Sequence, residues 1–547
     1  MNKFIEKYPI AIIILVCIGI FLFNLDVIYV NIMEARNFIS AREMLLNENW
    51  LLPTMNDVAR YEKPPLPTWL TALSAYLFGV HNLWALRLPA ALICIVLILA
   101  YYKLVIEFFK KKNLAFYTAL ILATSFYIIF SGRNGQWDIF AHGFMVLSIF
   151  FLLRMLHQSN KRVLYALGSG VFFGCAFLSK GPVSPYALWL PFIIAYLATY
   201  KKRLSKRHIL PMLLTLIIGL CVGLSWYGYV RIEDPANYLK ITEEETGNWS
   251  SYNIRPFYYY WSFFTQSGIW TIPSFIALLY PYLKNKVSDP KAYTFSFIWT
   301  ISSVVLLSII PEKKSRYLLP VLIPMALNTA FYIEYLIARI KNLKRSEKLP
   351  VYFNFGLIGF IGISFPTAGF LYFRDNLKGF YANFTLCAVL LFLSGLLILI
   401  ALKKQQIKKV FLLTIAFTWV ILTAGFPLTK ALYINPNFNN ISNLKPDVKL
   451  YSYGEVTPES LWHLGYSVPD IIYSGPLETP QENRFGILVT PENTSEFKRI
   501  FATEYHIELA DTFDINYTAS PQHSAYKDRL ITYYFILEKK QNNHDNQ

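Results

Sequence analysis

Apolar residues in this chain fall into thirteen long blocks separated by short basic connections. A block of about 17 to 25 mostly apolar residues crosses the hydrocarbon of a bilayer as a helix, because a helix satisfies its own backbone hydrogen bonds where water is absent. The blocks lie near residues 8–28, 84–107, 115–132, 137–157, 163–180, 183–199 and 209–230, then near 268–283, 292–310, 317–337, 351–373, 380–401 and 409–430. They predict an all-α polytopic bundle of about thirteen membrane helices. Of 547 residues, 55% are hydrophobic and 16% charged, which excludes an ordinary soluble domain. The first block is too long, and lacks the small-residue cleavage site, for a removed signal peptide, so it is expected to remain as the first helix.

Lysine and arginine collect in alternate connections: Lys110-Lys111-Lys112, Lys161-Arg162, Lys201-Lys202-Arg203 with Lys206-Arg207, Lys284 with Lys286, Lys341 to Lys348, and Lys403-Lys404 with Lys408-Lys409. These loops are expected to face the cytoplasm, with the amino terminus. They absorb much of the +17 net charge, so contacts with anionic membrane lipid explain it and a nucleic-acid partner is not needed. The opposite face then carries residues 31–83, residues 231–267, the connection from Pro311 to Arg316 and everything after 431. The predicted layout is a membrane domain over 1–430 and a small periplasmic α/β domain over 431–547, in a multi-pass protein of the inner membrane. In that tail, strand-like runs (449–453, 485–489, 530–537) alternate with helical stretches (458–464, 494–502).

Cys17, Cys94, Cys175, Cys221 and Cys387 all sit in apolar blocks and read as packing residues. The eight histidines show no paired ligand spacing, and no sequence feature signals a metal.

Charge concentrates instead in residues 31–83, where Glu34, Arg36, Arg42, Glu43, Asp57, Arg60, Glu62 and Lys63 surround a proline-rich run. Apolar positions at Ile32, Ala35, Ile39, Leu45 and Leu46 predict an amphipathic helix lying on the membrane surface. The stretch 66–78 is too short to span and is expected to lie in the interface or re-enter it. Between them Lys63-Pro64-Pro65-Leu66-Pro67 forbids helix and stiffens the chain, fixing Glu62 and Lys63 in place.

Six motifs occur in order along the chain. They are Met33-Glu34-Ala35-Arg36 beside Ala41-Arg42-Glu43-Met44; Tyr61-Glu62-Lys63-Pro64-Pro65; Asp138 opening the fourth block; Ser179-Lys180-Gly181-Pro182; Arg255-Pro256-Phe257-Tyr258-Tyr259-Tyr260; and Ser315-Arg316-Tyr317-Leu318-Leu319-Pro320. The arrangement resembles the C-type integral-membrane glycosyltransferases, in the branch that joins protein O-mannosyltransferases to lipid A aminoarabinose transferases. The resemblance implies transfer of a sugar from a polyprenyl-phosphate carrier to a glycolipid such as lipid A, or to a protein acceptor. A catalytically silent relative that binds or moves lipid-linked sugars is the third reading. Oligomeric state is not legible in the sequence.

The residue types suit that reaction. An acceptor hydroxyl attacking an anomeric carbon loses its proton to a carboxylate, and the departing lipid phosphate gains charge that fixed cations stabilise. The resemblance assigns Glu34 and Asp138 to catalysis, Arg36, Lys63, Lys180, Arg255 and Arg316 to the donor phosphate, and Tyr61, Glu62, Tyr259 and Tyr317 to substrate contacts. Plainer readings stand beside these: Lys180 as a snorkelling lysine, Asp138 as a helix-start residue, Glu62 with Lys63 as an ion pair on a turn, and Asp57 as a turn former. Glu243-Glu244-Glu245 reads as a solvated acidic loop or a guide for a sugar or cationic acceptor.

Two departures from the relatives matter. They usually carry an aspartate directly before the first-motif glutamate, as presumed base, where this chain has Met33; either Glu34 takes the role, or Asp138 does, or catalysis is lost. Some aminoarabinose transferases also place a histidine in the loop before the Pro-Phe-Tyr-Tyr run, near the glutamate of the second motif, whereas residues 231–256 here contain none. No obligatory metal or other cofactor is therefore expected, and a divalent cation near Glu62 is not favoured.

Overall fold

The structure, a computed structural model, describes residues 7–200, 206–472 and 479–540; the Lys201-Lys202-Arg203 cluster lies outside the described residues. Contacts divide the chain into two units, Met1–Asp26 with Tyr61–Leu428, and Val27–Arg60 with Thr429–Gln547. Residues 27–60, expected within a membrane domain ending at 430, thus group with the tail instead.

The first unit is helical. Each of the thirteen apolar blocks contains helix, but among the described residues nine helices are long and apolar enough to cross a membrane. The number rises to ten if the bent pair Lys112–Ala123 and Phe126–Gly132 is one span. Three expected spans fall short of thirteen. Pro9–Phe21 has only 13 residues, Pro185–Thr199 opens with a π-helical turn, and the block at 268–283 is broken into Thr271–Ala277 and Tyr280–Leu283.

Local chemistry explains these interruptions. At the 65° bend, Thr124 and Ser125 hydroxyls donate to the carbonyls of Leu120 and Ile121 at 2.6 and 2.7 Å, and the Trp270 indole N–H donates to the Thr124 hydroxyl at 2.8 Å. Side chains that bond the preceding turn in this way bend helices. The later block breaks at Leu278 and Leu279, just before Pro281, whose ring cannot continue a helix through the preceding turn. Gly268, at φ +66, kinks the chain at the start of that block, and a Cβ there would meet Phe126 at 2.7 Å.

Glycines also set one close helix pair. Arg162–Lys180 and Arg207–Glu233 pack through Gly170 and Gly174 against Gly219 and Gly223. A Cβ at Gly174 would lie 2.5 Å from Val222, and one at Gly219 would lie 2.6 Å from Phe173. Small residues four apart let backbones approach where apolar burial alone gives no preference for helix over lipid. This packing fixes the helix that ends at Lys180.

The second unit contains a four-stranded sheet and a small hairpin. The hairpin pairs β1 (Thr54–Met55) with β2 (Val58–Ala59), and Asn56 and Asp57 turn it at φ +59 and +61, the left-handed conformation a two-residue turn requires. The sheet orders β3 (Leu450–Tyr453), β4 (Arg484–Val489), β6 (Ile531–Lys539) and β5 (Tyr505–Asp514), with β3 parallel to β4 and the remaining pairs antiparallel. Phe497 and Phe501, one turn apart on Thr494–Phe501, join Tyr453, Phe485 and Phe535 in its core.

Ile32–Leu46 forms the expected helix but is not an amphipathic surface helix: ten of its fifteen residues are buried. Phe38 packs edge-on against Trp462 at 5.4 Å, and Arg42 donates to the Leu461 carbonyl. Glu43 accepts hydrogen bonds from the Thr54 hydroxyl at 2.6 Å and the Asn56 N–H at 2.7 Å, tying the helix to the hairpin. The apolar face therefore serves a protein core.

Candidate functional site

Asp138, first residue of helix Asp138–His157, and Lys180, last residue of Arg162–Lys180, form a buried ion pair, their side chains 5% and 8% exposed. The Lys180 helix stops because Gly181 takes φ +63, a conformation L side chains rarely adopt. Beyond it Ser184 bonds His142 Nδ1 at 3.1 Å and donates to the Ala141 carbonyl, pinning the turn against the first coils of the Asp138 helix.

A second strand of the site is the connection from Pro311 to Tyr317. It pairs as a short antiparallel bridge, Ile254 opposite Glu312, with the Arg255 N–H donating to Pro311 at 3.2 Å and the Lys313 N–H donating to Asn253 at 3.1 Å. The Lys313 ammonium donates to the carbonyls of Ile310 and Arg255 at 2.6 and 3.0 Å, and burial pulls its pKa down. Tyr317 donates to Glu312 at 3.2 Å, Glu312 pairs with Lys314 at 2.6 Å, and Tyr259 meets the Ser315 hydroxyl at 3.3 Å. Arg255 is exposed, its guanidinium 6.0 Å from the Tyr259 ring.

These two parts meet at Tyr317. The Lys180 ammonium lies 4.9 Å from its ring centroid and the Arg316 guanidinium 5.8 Å. Arg316 and Lys63 both act electrostatically on Lys180, and Arg316 acts on Asp138 as well. The Arg316 Nε is buried and has no hydrogen-bond partner among the described residues. Two of the five candidate phosphate cations, Arg316 and Lys63, are therefore within electrostatic reach of a third, Lys180, which is paired with Asp138.

Residues 61–63 form the third part. Tyr61 donates to Asp234 at 2.8 Å, and burial, reinforced by this bond, raises the pKa of its phenol. Asp234 caps Pro235–Ser251, and hydrogen bonds from Asn237 and Tyr61 lower the pKa of its carboxyl. Lys63 donates to Glu245 on that helix at 3.0 Å. Residues 231–267, expected as a loop, are thus substantially helical, and one of the three consecutive glutamates is the partner of a candidate phosphate ligand. Half-buried Glu62 lies between Tyr61 and Lys63. Pro65 is the N-cap of Leu66–Phe78 and Pro67 lies in its first turn, so the prolines introduce a helix here as well as stiffening the approach to it.

Glu34 and Arg36 belong to the second unit. Glu34 is fully buried and closes a capping box, accepting from the Asn31 side-chain amide at 2.8 Å and from its backbone N–H at 3.4 Å. The Nε of Arg36 is buried and has no hydrogen-bond partner among the described residues. Several participants gave no usable signal in the sequence: Tyr127, which interacts electrostatically with Asp138 and Arg316, together with His142, Asp234, Glu312 and Lys314. Among the described residues no three His, Cys, Asp or Glu side chains converge as a metal-binding group.

Comparison with known proteins follows the same lines. Residues 62–226 match the family model described as dolichyl-phosphate-mannose-protein mannosyltransferase. The chain is 24% identical over 319 residues to the undecaprenyl phosphate-alpha-4-amino-4-deoxy-L-arabinose arabinosyl transferase of Photorhabdus laumondii, covering 54% of each chain. It is 24% identical over 344 residues to arabinosyl transferase 1 of Proteus mirabilis, covering 61% of each. The chain thus spans between half and two thirds of the length of these relatives. The crystal structure of ArnT from Cupriavidus metallidurans bound to undecaprenyl phosphate superposes with a TM-score of 0.66 at 17% identity, covering 98% of both chains. The Archaeoglobus fulgidus oligosaccharyltransferase superposes at 0.51 with 12% identity, over 93% of this chain and 70% of that one. The architecture agrees with the resemblance read from the sequence: this chain has the fold of ArnT from Cupriavidus metallidurans.

Proposed function

We propose that the protein transfers a sugar from a polyprenyl-phosphate carrier to an envelope glycolipid, of which lipid A is one, at the periplasmic face of the inner membrane. In this reading the amino terminus is cytoplasmic and the carboxyl-terminal sheet periplasmic. The observation that carries the proposal is the reach of both Arg316 and Lys63 to Lys180, with one guanidinium N–H of Arg316 buried and without a partner among the described residues. Fixed cations in a site shielded from water favour the dianion that forms as the glycosidic C–O bond breaks.

In the proposed mechanism the donor phosphate sits against Lys180, Arg316 and Lys63, with Arg255 as a further cation. The acceptor hydroxyl attacks the anomeric carbon and its proton passes to a carboxylate. Glu34 and Asp138 are the two candidates for that base, and the pairing of Asp138 with Lys180 holds that ammonium in position. Tyr61, Glu62, Tyr259 and Tyr317 supply the substrate contacts. No metal is required for any of these steps, so chelation by EDTA is expected to leave turnover unchanged.

The test is release of free polyprenyl phosphate when the purified protein, in lipid, is given a radiolabelled polyprenyl-phosphate sugar. Release that stops in Lys180→Met and in either Glu34→Gln or Asp138→Asn supports the assignment. Release unaffected by these changes overturns the site, and no release with pentose or hexose donors favours a silent binder, the reading that Met33 sustains. Mass spectrometry of envelope lipids and glycoproteins from a deletion strain separates a glycolipid acceptor from a protein one.

A further inference from the structure

The second unit has a cleft of its own, with a volume of about 190 Å³. Tyr29, Tyr517, His463, Glu459, Arg529 and Lys527 are among the residues that line it. The Tyr29 and Tyr517 rings stack 5.0 Å apart and 8° from parallel. The Tyr517 hydroxyl bonds His463 Nε2 at 3.2 Å. Burial brings the His463 imidazole down to about 4, so the ring is neutral at pH 7 and its Nε2 can accept the phenolic proton.

One turn before His463 on the same helix, Glu459 accepts two hydrogen bonds of 2.8 and 3.0 Å from the Arg529 guanidinium. The Glu459 side chain is only 6% exposed, whereas that of Arg529 is 38% exposed. A guanidinium and a carboxylate held in one plane present N–H donors beside oxygen acceptors. Adjacent sugar hydroxyls match that pattern, each donating to the carboxylate and accepting from the guanidinium. A stacked aromatic pair adds an apolar face for ring C–H groups.

Other ligand classes fit less well. A cation meets Arg529 and Lys527, a bare phosphate meets Glu459, and an apolar ligand leaves the ion pair without hydrogen-bonding partners. The cleft is also below the range of about 300–1,000 Å³ typical of sites for drug-sized molecules, and suits one ring.

We propose that this cleft binds a single saccharide ring through vicinal hydroxyls set against the Arg529–Glu459 pair. Resting on the transferase reading above, we assign that ring to the acceptor glycolipid, so that the second unit selects the acceptor.

Saturation-transfer NMR on the full-length protein in detergent micelles tests this with the methyl α-glycosides of glucose, mannose and galactose. The ring protons of at least one glycoside are expected to receive saturation. The signal should fall to background in Tyr29→Ala and Arg529→Lys, and persist in Tyr29→Phe, which keeps the platform. Tetrahydropyran-2-methanol, a similar ring without vicinal hydroxyls, should receive none. No transfer to any glycoside, transfer unchanged in both Tyr29→Ala and Arg529→Lys, or equal transfer to the control ring overturns the cleft assignment. Donor turnover on the same preparations keeps the two readings apart: its absence with sugar binding intact overturns the transferase reading and leaves the cleft standing.

Discussion

Asp138 and Lys180, 42 residues apart in the chain, form an ion pair in which neither side chain is more than 8% exposed. Taking two charges out of water costs several kcal/mol per ion, so such a pair persists only where geometry and neighbours compensate. Here the compensation comes from Arg316 next to the carboxylate, Tyr317 beneath the ammonium, and the His142–Ser184 contact that fixes the turn.

Breaking that pair should be costly on one side and much less so on both. Lys180→Met leaves the Asp138 carboxylate buried without its partner and should destabilise the protein by about 3–5 kcal/mol. The double variant Lys180→Met with Asp138→Asn should recover most of that loss while remaining inactive. Thermal unfolding in detergent and donor turnover, measured on the same three proteins, check both halves.

Lys63 and Glu245 behave differently because their side chains are 25% and 38% exposed. Glu245→Gln should change stability by less than about 1 kcal/mol, the usual worth of an exposed pair. Lys63→Met should raise the donor KM while leaving the melting temperature in place. Steady-state kinetics beside a thermal scan separates the two effects.

The His463 imidazole titrates near 4 in the folded protein, against 6.5 for an ordinary histidine, because it is buried. Between those values the unfolded chain binds a proton that the folded chain does not, so stability falls as pH falls through that window and levels off below it. Hydrogen exchange of the peptide containing Pro458–Leu464 should therefore quicken between pH 6.5 and 4 relative to the same peptide in His463→Gln. An identical pH profile in the two proteins would remove His463 as the cause.

Two glycines on neighbouring helices give a steric contrast. Gly174→Ala puts a Cβ 2.5 Å from Val222 and should cost about 1–3 kcal/mol through overpacking, with turnover falling as the Lys180 end shifts. Gly228→Ala meets nothing within 4 Å and should leave both quantities unchanged. Melting temperatures of the two variants decide the matter.

Hydropathy made the helical blocks legible because the bilayer imposes one solution on any long apolar stretch. The interruptions were not legible. The bend at Thr124 depends on an indole 146 residues away, and hydroxyl-bearing residues within apolar blocks are common where helices stay straight. Charged site residues could be proposed singly, but their pairings could not: Lys63 and Glu245 are 182 positions apart, and three adjacent glutamates read as solvated. In the second unit β5 escaped notice because it is an edge strand with most residues exposed, which leaves no apolar alternation to detect. Ala35, Ile39 and the other apolar positions of that helix were detected but assigned to lipid, and Phe38 beside them was not singled out. Periodicity reports that a helix has an apolar face and cannot say whether lipid or Trp462 covers it.

The joining of residues 27–60 to the carboxyl-terminal sheet sets an order of events during synthesis. This early segment leaves the ribosome before nearly all of the membrane helices, and its partners leave last. Phe38 and Arg42 must then wait, unsheltered, while translation and insertion run through the intervening helices. A messenger truncated before the last strands would strand the first excursion of the chain without its counterpart, so that the terminal codons govern the maturation of a segment made at the outset.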